Sequence, residues 1–215
     1  MHEIVFSSSD KAQNKGISKL EKSGVIRKIA PRIYTSNLEE SPEIIIRRNL
    51  FLILGKLYPG CLLSHRSALE FRPTKTNQIF ITYTYNKNIQ LPGITLRFLE
   101  GPGPLEEDNP ITDGLFVSQQ GRALLENLQV SRKLGSDSKI LTLPEIEAKL
   151  DQIARVHGDE GLNLLRDKSR QISMQLGMEQ EFDKLNKLIS AMLSTHPSKI
   201  LKSPLAMARA FGLPY

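Results

Sequence analysis

Apolar residues recur along this chain with two periods, and the switches between them mark its elements. Ala12, Ile17 and Leu20 share one side of a stretch that Ser9 or Asp10 caps and Gly24 ends, which predicts a helix through about Lys22. Two strand-like runs follow at residues 25–29 and 32–35, split by Ala30-Pro31. A helix followed by a hairpin is half of a winged helix. Pro42 then opens an apolar helix with Ile45, Ile46, Leu50, Phe51 and Leu54, stopped by the Tyr58-Pro59-Gly60 turn. Ser64 caps a short helix holding Ala68, Leu69 and Phe71.

From residue 78 to 85 the period becomes two: Ile79, Ile81, Tyr83 and Tyr85 alternate with Phe80, Thr82 and Thr84. Residues 94–99 answer this run after the Pro92-Gly93 turn, which predicts an antiparallel hairpin. Gly101-Pro102-Gly103-Pro104 breaks the chain, residues 115–117 add a strand, and Ser118 opens a helix with Ala123, Leu124, Leu125 and Leu128. Beyond a linker at residues 135–138 the pattern is helical only. Thr142 caps a helix with Ile146, Leu150 and Ile153; Leu162, Leu165, Ile172 and Leu176 mark a second; Phe182, Leu185, Leu188, Ile189 and Met192 mark a third. Ser203-Pro204 opens a last one through Phe211. The expected class is α+β: a trimmed winged helix over residues 1–40, a small antiparallel-sheet domain over 41–134, and an all-α helical bundle over 140–215.

Composition agrees with a folded chain, since 40% of residues are hydrophobic and 24% charged. No run of about 18 apolar residues occurs, and the first residues lack a basic start and an apolar core, so a cytoplasmic protein with no membrane partner is expected. Cys61 is the only cysteine, which excludes an internal disulfide and a thiolate metal cluster and leaves a buried structural thiol as the simplest reading. The net charge of +6 and a pI near 9.4 favour polyanionic partners. Much of that excess is local. Over residues 1–35, seven cations (Lys11, Lys15, Lys19, Lys22, Arg27, Lys28 and Arg32) oppose Glu3, Asp10 and Glu21.

Ser64-His65-Arg66-Ser67 invites a nucleophile reading, but neighbours on a regular helical turn point about 100° apart and no G-x-S-x-G turn surrounds them. A capping serine beside a locally bonded histidine is the expectation. The four histidines form no metal-ligand spacing, the Gly-Pro loop lacks the amide donors of a phosphate cradle, and Glu106-Glu107-Asp108 reads as a solvated loop. No catalytic, cofactor or metal residue is assigned. The lysines at 11, 15, 19 and 22 instead line one helical face. With the hairpin they make Lys15, Lys19, Lys22, Arg27, Lys28 and Arg32 the candidate contacts to DNA phosphates.

Residues 18–35, followed by Leu62-Leu63-Ser64-His65-Arg66-Ser67-Ala68-Leu69, resemble the AbiEi-type antitoxins and transcriptional regulators. That resemblance implies a DNA-binding winged helix ahead of a domain entered through a serine-histidine and serine-alanine segment. Residues 26–38, 63–71, 91–95, 123–128 and 208–212 are similar to the N-terminal part of bacterial Fic-family proteins, which implies a downstream AMP-transferring domain. The HPFxxGNGR-type motif of that domain is absent: His196-Pro197 leads into Ser198-Lys199-Ile200. The expected function is a non-enzymatic module of the antitoxin or transcription-regulation type. The alternative is a protein-interaction or substrate-positioning region of a Fic enzyme, acting through the hairpin around Tyr83, Tyr85 and Phe98 or through the helices.

Overall fold

Three short strands open the chain in the computed structural model, which describes residues 3–130 and 138–195. They are β1 (Ile4–Phe6), β2 (Arg27–Ala30) and β3 (Ile33–Thr35), with helix α1 (Lys11–Lys22) between β1 and β2. The order is β1-β3-β2, antiparallel throughout. Register pairs Ile4 with Thr35 and Phe6 with Ile33, so one face is apolar, while Val5, Tyr34 and Lys28 share the other. Pro31 and Arg32 form the β2–β3 turn; Arg32 takes the positive φ of 66° that its second position requires.

A larger sheet follows. Pro42 does start a helix, but it stops at Arg48; α2 (Pro42–Arg48) and α3 (Leu50–Leu57) are separate because Asn49 leaves helical geometry (φ −103°, ψ 13°). Next come β4 (Cys61–Leu63), α4 (His65–Glu70), β5 (Gln78–Tyr83), β6 (Lys87–Leu91), β7 (Ile94–Glu100), β8 (Asn109–Thr112), β9 (Leu115–Val117) and α5 (Gln120–Asn127). The strands order as β6-β7-β5-β4-β9-β8. The expected hairpin of residues 78–85 and 94–99 is not formed. β5 and β7 are parallel neighbours, and the antiparallel partner of β7 is the intervening edge strand β6. Because the pairs β4–β9 and β5–β7 are parallel, the sheet is mixed rather than antiparallel.

Alternation gives this sheet an inner face of Cys61, Leu63, Ile79, Ile81, Leu96, Phe98, Leu115 and Val117, covered by Ile45, Ile46, Ile53 and Leu54 of the two helices. Ile4, Ile29, Ala30 and Ile33 join the same core. The division expected near residue 40 therefore falls within one packed body: the chain separates into Met1–Thr142 and Leu143–Tyr215. Close approach is enforced where α3 crosses the β8–β9 turn. A Cβ on Gly55 would stand 2.4 Å from the Asp113 carbonyl oxygen, and one on Gly114 2.5 Å from that of Gly55.

The described residues of the second unit are helical. In α6 (Leu143–Leu176) Gly158 interrupts the helix (φ 65°, ψ −165°), as the two separate periodic runs imply. α7 (Glu179–Thr195) returns along it after Gly177, with Leu162, Leu165 and Ile172 buried on one helix and Phe182, Leu185 and Ile189 on the other. Arg170 lies over the Phe182 ring, 5.4 Å from its centroid. The helix expected after Ser203-Pro204 and most of the linker at residues 135–138 lie outside the described residues. No helix among the described residues is long and apolar enough to cross a membrane.

One ionic cluster sits inside the first unit. Arg122 of α5 is 0% exposed, and its guanidinium is surrounded. Nη1 donates to Asp108 Oδ2 at 2.5 Å and to the Gly103 carbonyl at 3.0 Å, Nη2 to the Pro102 carbonyl at 2.8 Å, and Nε to Glu126 Oε1 at 2.9 Å. Asp108 also accepts from the amides of Leu105 and Gln119, and Glu126 accepts from the His65 amide and the Ser118 hydroxyl. The acidic run is thus not a solvated loop throughout: Glu106 and Glu107 are exposed, Asp108 is buried. Nor does Ser118 cap α5; the Gln119 side chain does, accepting from the Gly121 amide.

Truncating Arg122→Leu leaves two buried carboxylates without a counter-charge, and the first unit should lose about 3–5 kcal/mol in urea unfolding. Adding Asp108→Asn and Glu126→Gln to that variant should recover part of the loss; no recovery would mean that charge compensation is not what Arg122 supplies.

Candidate nucleic-acid interface

Helix α1 is held by little. Asp10 caps it, its carboxylate accepting from the Ala12 amide at 2.8 Å, and Asn14 ties its first turn to the Ser8 backbone. Ile17 is its only buried residue, with Leu20 half-buried. At ~100° per residue, Lys11, Lys15, Lys19 and Lys22 fall within a roughly 80° arc nearly opposite Ile17. All four are exposed, and none has an ion pair among the described residues. Glu21 lies toward the Ile17 side of the helix, outside that arc. The result is a cationic stripe facing away from the body of the unit.

The hairpin residues divide. Lys28 is exposed in β2 beside Tyr34, and Arg32 is exposed at the turn. Arg27 is half-buried and occupied: Nε donates to the Asn37 carbonyl at 3.2 Å and Nη2 to that of Glu40. Its Nε and Nη2 thus hold the loop after β3. That loop is fixed from its other side as well. Arg48 bridges Glu3 and Glu40, while Asn49 donates to Glu3 at 2.8 Å and Asn37 to Glu40 at 2.5 Å. Donation by Arg48, then by Asn49, lowers the Glu3 carboxyl to about 2. The small sheet is thereby fastened to the α2–α3 junction, and α1 projects from a fixed base.

The Ser64-His65 pair differs from expectation in geometry. Ser64 is extended (φ −135°, ψ 173°) and makes no cap hydrogen bond; His65 has a left-handed φ of 53°. Helical spacing does not apply to such a pair, and His65 Nδ1 lies 3.0 Å from Ser64 Oγ, which also accepts from Thr82 Oγ1 at 2.8 Å. Ser64 is 0% and His65 6% exposed, so the contact is closed to a substrate. The Nε2 atom is buried and makes no hydrogen bond of good geometry. Burial, helped by the charges of Lys139 and Arg122 and opposed by Gln129, lowers His65 to about 3, and the ring stays neutral. Cys61 is a buried thiol pushed up to about 12 by desolvation. Among the described residues no group of three or more His, Cys, Asp or Glu side chains is gathered to hold a metal.

At the end of β5 the structure also gathers Tyr58, Tyr83, Tyr85 and Phe98, with ring centroids 4.7–6.3 Å apart. Alternation along residues 78–85 signals that Tyr83 and Tyr85 share a face. It carries no sign that Tyr58, in the turn after α3, joins them.

A depressed histidine destabilises on acidification. Above about pH 6.5 neither state is protonated; between 6.5 and 3 the unfolded chain takes up a proton that the folded one refuses. Unfolding free energy should fall by about 1.4 kcal/mol per pH unit from this group within that window. In His65→Asn, whose side chain tolerates a positive φ, the slope between about pH 6 and pH 5 should flatten, as read from urea midpoints followed by the tyrosine near-UV signal. In comparisons with known proteins, the chain matches no family model, no curated protein and no solved structure.

Proposed function

We propose that the first unit is a nucleic-acid-binding regulatory module that lays α1 and the β2–β3 turn along a DNA backbone. The observation that carries this reading is the lysine stripe of α1: four cations without ion pairs among the described residues, on a helix that buries a single residue. A helix kept for packing would bury a continuous stripe. This one presents almost its whole circumference to solvent while its base is fastened by Asp10, Asn14 and the Glu3–Arg48–Glu40 cluster. The strand order β1-β3-β2, with α1 between β1 and β2 and a turn carrying Arg32, supports a trimmed winged helix in which α1 takes the recognition position and the turn the wing. Lys15, Lys19, Lys22, Lys28 and Arg32 then neutralise phosphates, and Arg27 holds the wing's base.

Backbone contacts of this kind position without reading sequence, so affinity comes chiefly from counterion release. In this reading the module has no catalytic role and works in the cytoplasm as an antitoxin-like or transcription-type regulator. The helical second unit connects it to whatever it regulates.

Replacing Lys15→Ala and Lys19→Ala together should weaken binding to a labelled duplex in fluorescence anisotropy and reduce the slope of log affinity against log salt by about two. Arg27→Ala should instead lower the melting temperature and leave the slope nearly unchanged. An unaltered slope in the double lysine variant would overturn the assignment of α1, and absence of duplex binding by the native chain would favour the protein-interaction reading.

A further inference from the structure

Helix α1 carries a weak point that packing does not explain. Gly16 stands in its middle with helical backbone, and a Cβ added there would meet nothing within 4 Å. Gly114 is required twice over, by its left-handed φ and by the nearby Gly55 carbonyl; Gly16 is required by neither. A glycine inside a helix loses more backbone freedom on folding than alanine and is among the poorest helix formers.

The rest of α1 does little to offset that. Its 12 residues are near the length at which an isolated helix is marginal in water, and only Ile17 is buried. Lys11 and Lys15, like Lys15 and Lys19, are like charges four residues apart, Lys19 and Lys22 three apart, and no Asp or Glu stands three or four residues from any of them. Screening keeps that repulsion small, so the glycine and the thin packing are the larger costs. The stabilising contacts are at the ends: the Asp10 cap, the Asn14–Ser8 ties, and the Val25 amide donating to the Leu20 carbonyl at 3.0 Å.

We infer that α1 opens locally in the free chain and is completed as a helix by the phosphates it binds, so that helix formation and nucleic-acid binding are one coupled equilibrium. The inference rests on the proposed nucleic-acid reading. Only the helical state gathers the four lysines on one arc, and an opened segment spreads them. A phosphate backbone therefore favours the helical state and shifts the population toward it. Conversely, the measured affinity is that of the formed helix, lowered by the fraction of free chain in which α1 is closed. The opening stays local, because the main core is built from other elements.

Gly16→Ala tests this, since it changes no charge and removes no phosphate contact. In the full native chain without ligand, amides of residues 15–22 should be protected from deuterium exchange about tenfold less, or lower still, than those of β4 and β5, and the labelled duplex should raise their protection. Gly16→Ala should raise it in the free chain by up to about fivefold and tighten duplex binding by about two- to fivefold, with the salt slope unchanged. Native α1 amides protected as well as the central strands overturn the inference. So does tighter binding without greater protection, which would be a new contact of the methyl group. Greater protection with unchanged affinity overturns the coupling and leaves the lysine reading standing, and weakened binding does the same by marking Gly16 as a point of close approach. No duplex binding by the native chain overturns both.

Discussion

Arg122 is the residue around which the first unit is arranged. A guanidinium with no exposure is tolerable only when its donors are met, and here two carboxylates and two carbonyls meet them. The acceptors come from separate stretches: the Gly-Pro loop gives carbonyls, Asp108 stands ahead of β8, and Glu126 lies one turn along α5. Glu126 also receives the amide of His65, at the left-handed entry to α4. Displacing any one of these segments would leave a charge buried without compensation. The cluster therefore sets where the chain must pass between β7 and α5, and where β4 must hand over to α4.

A second ionic group works differently. Glu3, Arg48 and Glu40 are partly exposed, so water competes for every contact and each pair contributes little on its own. What they supply is placement. Together with Arg27 they hold the loop after β3 against the α2–α3 junction, while Ile4, Ile29 and Ile33 enter the common core. α1 has no such partner. It packs only through the side around Ile17, and its lysines, on the opposite side, remain exposed.

Local signals in the sequence were enough where structure is local. Asp10 and Gly24 bracket α1, Pro42 opens α2, alternation finds β5 and β7, and two apolar periods separated near Gly158 describe the helical unit. The lysine stripe, too, follows from spacing alone. What escapes is either too short or non-local. β1 has three residues, less than any alternating pattern needs, and it is recognisable only by its pairing with β3. β6 is an edge strand whose Lys87, Asn88 and Gln90 face water, so no apolar period marks it. Without β6, residues 78–85 and 94–99 look like hairpin partners; with it they become parallel neighbours. Asp108 and Ser118 look like surface residues because their partners lie in segments the sequence does not bring near, and Ser64 and His65 escape helical reasoning because neither has helical backbone angles.

Two kinds of positive charge thus coexist in one chain, and physics separates what each can do. Salt scarcely reaches Arg122, whose counter-charges are in contact and closed from water, so its contribution belongs to the fold at any ionic strength. The lysines of α1 contribute almost nothing to the fold: they have no ion pairs to lose among the described residues, and their mutual repulsion is screened. A phosphate backbone placed against them would relieve that repulsion and release its own counterions, an advantage that grows as salt falls. Binding through α1 would then vary steeply with conditions that leave folding untouched. That separation is possible only because the buried cluster fixes the body of the unit independently of the face it presents.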